Sequence, residues 1–133
     1  MDVDVQPEDA PRSRFKRLLD RFMASREELE AQELQEDAQE VGGTPIQRCQ
    51  DRAQVTVSGT LRTVTLRPRA GVPALEAELY DGSGTLAVVW LGRRQIVGVE
   101  PGRGVVVHGR VAFNEGRPVM FNPRYELRPV GGG

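Results

Sequence analysis

Several residue types are scarce in this chain, and each scarcity closes off a class of function. Cys49 is the one cysteine in 133 residues, so no internal disulfide can form. His108 is the one histidine, and together with Cys49 it cannot supply a usual zinc site, which draws four ligands mainly from Cys and His. No apolar run approaches the roughly 18 residues that a membrane-spanning helix requires. The start, Met1-Asp2-Val3-Asp4, is acidic and lacks the apolar core of a secretory signal. These features fit a reducing cytoplasm, with no metal, cofactor or membrane implied. Aromatic residues make up only 5% of the chain, so any surface on which bases stack has few candidates. Lysine is nearly absent: Lys16 stands against 17 arginines, a balance that suits phosphate recognition and equally a G+C-rich genome.

What is present is unevenly spread. Residues 1–50 carry 7 basic and 12 acidic side chains, whereas residues 51–133 carry 11 basic and 7 acidic ones. The C-terminal part is therefore the candidate for an anionic partner.

The chain divides by pattern. Residues 1–12 are acidic and aperiodic, which predicts a disordered tail. Over 13–41 the spacing predicts a helical extension. Phe15, Leu18, Leu19, Phe22 and Met23 fall at i, i+3, i+4, i+7 and i+8, one stripe flanked by Arg14, Lys16, Arg17 and Arg21. Ser25-Arg26-Glu27-Glu28 reads as a capping box that restarts a second, acidic helix. Gly42-Gly43-Thr44-Pro45 ends it and opens a linker over 42–51.

From Arg52 the period becomes two, and residues 52–129 read as a β domain, with a flexible tail over 130–133. Val55, Val57, Gly59 and Leu61 alternate with polar residues, and the alternation resumes out of phase at Val64 and Leu66. That slip predicts a β-bulge near Arg62-Thr63. Ala74–Tyr80 and Thr85–Leu91 make the second and third strands around an Asp81-Gly82-Ser83-Gly84 hairpin turn. Arg93–Val99 is a short helix or an irregular crossover. Val105–Phe113 is the fourth strand, and Arg117–Leu127 the fifth, interrupted by Pro123. Five strands with a bulged first strand and a break between the third and fourth outline a mainly β, five-stranded OB-fold barrel with an N-terminal helical extension. An SH3-like barrel and an open meander are the alternatives.

An ordered set of short motifs resembles a known family. The pieces are Val57-Ser58-Gly59-Thr60-Leu61, the Asp81–Gly84 turn, an apolar strand ending in Trp90, Pro101-Gly102, Val105–Arg110 and Met120-Phe121-Asn122-Pro123-Arg124-Tyr125. Together they resemble the OB-fold wedge domain of the RecG branch-migration helicase and the wider nucleic-acid-binding OB family. The whole layout is similar to small stand-alone OB-fold proteins of actinobacteria. Two departures stand out: the length leaves no room for a helicase motor, and Arg124 occupies a place that is usually acidic. The resemblance implies single-stranded or branched DNA as partner, with RNA as the alternative.

Binding a single strand takes cations along a groove and flat side chains for stacking. Arg62, Arg67 and Arg69 lie on or just after the bulged strand, Arg93 and Arg94 follow the third strand, and Arg110 and Arg117 flank the fourth-to-fifth connection. In OB proteins the first loop and the fourth-to-fifth loop frame the groove. Trp90 shares parity with Leu86 and Val88, so it either plugs one barrel end or stacks a base beside Arg93. Phe121 opposes Met120 in parity, so one of the two is exposed; an exposed Phe121 would stack a base. Glu76 and Glu78 share a strand face and would repel phosphate there. Tyr80 reads as a half-buried strand residue and His108 as a surface hydrogen-bonder. Asp81 is turn chemistry, and Cys49 an inert linker thiol. No nucleophile, acid and base come together, so no enzyme is expected.

The same residues allow a second function, an adaptor that binds protein. The stripe Phe15, Leu18, Leu19, Phe22 and Met23 would then dock on the barrel or on another chain, itself included. Under the nucleic-acid reading, the basic flank of that helix would add phosphate contacts and the acidic stretch after Ser25 would occupy the basic groove until nucleic acid displaces it.

Overall fold

A computed structural model describes residues 6–130, with side chains described from residue 14 onward. The chain is mainly β, with one N-terminal helix and a six-stranded mixed sheet. The elements are α1 (Gln6–Glu40), β1 (Gln54–Leu66), β2 (Ala74–Tyr80), β3 (Thr85–Leu91), β4 (Gly104–Asn114), β5 (Arg117–Phe121) and β6 (Arg124–Leu127). The strand order is β1-β2-β3-β5-β4-β6, and β1 also pairs with β4, closing five strands into a ring consistent with an OB-like fold.

β1 makes the closure possible because it serves two partners. Its first half, Gln54 to Thr60, pairs with β4, and Thr60 to Leu66 pairs with β2. The register shifts between Leu61 and Thr63, at the bulge that the change of phase predicts. Gly59 sits at the bend, where a Cβ would collide with the Tyr80 carbonyl. Side chains of alternating parity fill the interior: Val57, Leu61, Leu79, Leu86, Val88, Val107 and Met120 are fully or almost fully buried. Burying each leucine contributes about 1.5–3 kcal/mol before entropy is counted.

The connection between β3 and β4 forms turns and no helix, and sends Ile96 and Val99 into the core. The expected single fifth strand is two. Asn122 takes a left-handed φ of 48°, and Pro123, which lacks an N–H, cannot continue the ladder. β5 pairs with the second half of β4, and β6 with the first.

The N-terminal part departs further from expectation. α1 is one helix of 35 residues, continuous through Ser25. A capping box acts only where the chain turns, and residues 14–40 contain no glycine or proline to turn it. Of the expected disordered tail, residues 6–12 belong to α1 and residues 1–5 lie outside the described residues, as do residues 131–133 of the expected C-terminal tail.

Gly42 (φ 72°) ends the helix in a Schellman arrangement, with Gly43 N–H donating to the Ala38 carbonyl at 2.8 Å. The segment after it is packed against the ring and does not hang free. Thr44 N–H donates to Thr56 O at 2.8 Å, residues Ile46–Arg48 form one 3-10 turn, and Ile46 and Cys49 join the core. Burial, with a smaller effect from nearby Asp81, raises the Cys49 pKa above its ordinary 9.0, which keeps it a thiol.

Candidate nucleic-acid interface

The outer face of β2 and β3 is one side of a groove of about 800 Å3. Its ends are the β1–β2 loop, carrying Arg67 and Arg69, and the β4–β5 turn, carrying Asn114, Glu115, Gly116 and Arg117. This is the position at which OB folds hold oligonucleotides. Pleating decides which side chains reach it. The register sets Glu76, Val89 and Phe121 in one row across β2, β3 and β5, with Glu78, Ala87 and Val119 in the next. Ala74, Val89 and Val119 form a small buried cluster outside the main core, and of these Val119 lines the groove beside Ala87 and Pro118.

Arg69 links the two ends of the first row. Its Nη2 donates to Glu76 Oε1 at 2.7 Å, while its guanidinium stands 5.5 Å from the Phe121 ring centroid. The side chain thereby spans β3 above Val89. Glu76 also receives Arg67 at 3.8 Å, so one carboxylate holds two guanidinium groups at the groove wall. Thr63 Oγ1 donates to Glu78 Oε1 at 2.9 Å. Phe121 is 44% exposed, so it is the outward member of the Met120/Phe121 pair.

The remaining arginines divide among other places. Arg117 is exposed on the groove rim. Arg93 and Arg94 are exposed just beyond β3, beside the β1–β2 loop, to which Gly92 N–H is tied through Pro73 O at 2.7 Å. Arg62 lies outside the groove lining, stacked 4.1 Å from the Tyr80 centroid and paired with Glu30 of α1 at 3.1 Å. Arg110 belongs to a different face, where its Nη1 donates to the Arg52 carbonyl. It neighbours His108, which bridges Thr56 Oγ1 and Glu126 Oε2 at 2.9 Å each.

Trp90 is not a stacking platform. It is 4% exposed, and its ring meets Tyr125 edge-on with centroids 5.6 Å apart inside the core. Its parity with Leu86 and Val88 turns it inward, as large apolar side chains at ring ends favour.

Nor does the acidic half of α1 enter the groove. It rests near the middle of β1, through Glu30 on Arg62, and beside the end of β6, through Asp37 on Arg128 (3.8 Å). Gly82 (φ 90°) lets the helix approach, because a Cβ there would collide with the Ala31 carbonyl.

The threonines at the groove, Thr63, Thr65 and Thr85, and Asn114 were not among the sequence candidates. The signal for Thr63 and Thr65 was available: after the bulge they take the phase opposite to Val64 and Leu66.

No protein-family model matches the chain, and no curated protein matches it. Among solved structures it is similar to RecG bound to a three-way DNA junction. The identity is 24% and the TM-score 0.49, over 62% of this chain and 12% of that chain. At this level the likeness carries no function across.

Proposed function

We propose that the protein binds nucleic acid without catalysis, taking single-stranded or branched DNA into the β2–β3 groove. The observation that carries this reading is the convergence of Arg67, Arg69 and Arg117 on one groove, with an exposed Phe121 beside it under the Arg69 guanidinium. Phosphates would take the guanidinium groups, threonine hydroxyls would add neutral donors, and one base would stack on Phe121. Arg93 and Arg94 extend the cationic track past β3. RNA offers the same phosphates.

Glu76, Glu78 and Glu115 in the same groove balance its arginines, which supports an adaptor for a protein segment as the second reading. The variant Glu76→Gln separates the two. If phosphate is the ligand, the substitution frees Arg67 and Arg69 and removes a repelling charge. Affinity for a labelled single-stranded or three-way-junction DNA, or for single-stranded RNA, should then rise about 3- to 10-fold by fluorescence anisotropy at low salt. Unchanged or weaker binding would mean that phosphate does not seat at these arginines.

A further inference from the structure

We infer that α1 is a self-pairing arm, through which two copies of this chain associate antiparallel. The arm is anchored at one end only. Leu34 and Ala38 are partly or fully covered near the ring, whereas Phe15 (68% exposed), Phe22 (53%) and Leu29 (56%) are open to solvent. A helix gains most of its stability from covering its apolar face, so this stripe requires a cover. The chain's own ring cannot provide it. Docking at Gly82 and Arg62 sets the helix direction, and the absence of glycine and proline over 14–40 prevents it from folding back.

Charge identifies the occupant. Residues 14–26 carry five basic side chains and one acidic, and residues 27–40 carry seven acidic and none basic. Two parallel arms would set like charges side by side. Two antiparallel arms, related by a two-fold axis near Phe22, set Arg14, Lys16 and Arg17 against the acidic run that begins at Glu27. The same axis overlaps the apolar stripe from Phe15 to Leu29 with its copy, as a self-complementary interface requires. Ala31, where each arm meets its ring, lies nine residues from that axis. At 1.5 Å per residue the two docking points stand about 27 Å apart, which leaves room for both rings.

Sedimentation velocity on the full chain, without nucleic acid, tests this. Between about 5 and 300 μM at low salt the mass should move from 14.7 kDa towards twice that value. Raising salt from about 0.05 to 0.5 M should weaken the dimer roughly 3- to 10-fold. Phe22→Glu should remain monomeric, with the near-ultraviolet circular dichroism of Trp90 unchanged because Phe22 lies outside the core of the ring. Orientation is read by oxidative cross-linking: Phe15→Cys mixed with Leu29→Cys should cross-link, and Phe15→Cys alone should not. Cys49 is buried and stays silent. A monomer throughout the range, a dimer indifferent to salt, or Phe15→Cys linking to itself would each overturn the proposal. None of these readouts depends on the groove binding DNA.

Discussion

Replacing Asp81 by alanine should destabilise the fold by about 3–5 kcal/mol, the largest effect expected of a polar side chain here. Asp81 is 1% exposed, yet its carboxylate has a full set of partners. Oδ1 accepts from Ser83 N–H (2.9 Å), Ser83 Oγ (2.7 Å) and Gly84 N–H (3.0 Å), and Oδ2 accepts from Ile46 N–H (2.8 Å). One side chain thereby closes the β2–β3 turn and fastens the segment that follows α1 to it. Alanine would leave three backbone donors without their acceptor, each costing about 1–3 kcal/mol when buried. Because Gly82 of that turn seats α1, the loss should extend to the arm. Urea unfolding of Asp81→Ala checks the total, and an unfolding free energy within about 0.5 kcal/mol of the parent would contradict this role. Asp81→Asn keeps one acceptor oxygen and should cost markedly less than alanine.

The largest functional effect should come from removing the groove arginines together. Arg67→Ala, Arg69→Ala and Arg117→Ala combined should weaken single-stranded DNA binding at least about 100-fold, since hydrogen bonds to charged groups are worth about 1.5–3 kcal/mol each. The salt dependence should change with it. Three to five phosphate contacts, the upper figure including Arg93 and Arg94, give a log–log slope of about −2 to −3.5, and the triple variant should lose about 2 of it. Arg110→Ala is the matched control. It removes one arginine from a different face, so it should change affinity less than about 3-fold in the same titration, against about 5-fold or more for each groove arginine removed singly. If Arg110→Ala weakened binding as much as the triple variant, the ligand would lie on the β1–β4 face instead. Stability is a secondary readout, because Arg69 also bridges Glu76 and Phe121 over Val89.

Much of the ring was legible in the sequence, since period-two alternation has one dominant physical cause. The second and third strands fall where the alternation places them, and the change of phase after Leu61 marks the bulge. Trp90 was legible too, once its parity with Leu86 and Val88 was given more weight than its place at a strand end. The linker was not. Ile46 and Cys49 are too sparse, among glycine, threonine and proline, to show any period, and their burial depends on Asp81 reaching across 35 positions. The uninterrupted helix was obscured by a local motif at Ser25 that the fold leaves unused.

The candidate site was legible in composition and not in membership. Arg62, Arg110 and Arg117 look alike along the chain, but pairing between distant strands decides which face each one joins. Arg62 is taken by Glu30, and Arg110 turns towards Arg52, whereas Arg117 reaches the groove rim. Glu76 reads in the sequence only as a repelling carboxylate. In the fold it also pairs with Arg67 and Arg69, and that contact requires the return of the β1–β2 loop over β2.

Amide chemical shifts followed during titration with a short single-stranded DNA would test the central claim most directly. The account predicts saturable shifts concentrated on residues 63–69, 76–78, 85–94 and 114–121, with the β4–β6 face around His108 and Arg124 unmoved. Shifts confined to that opposite face, or none at low salt, would contradict it.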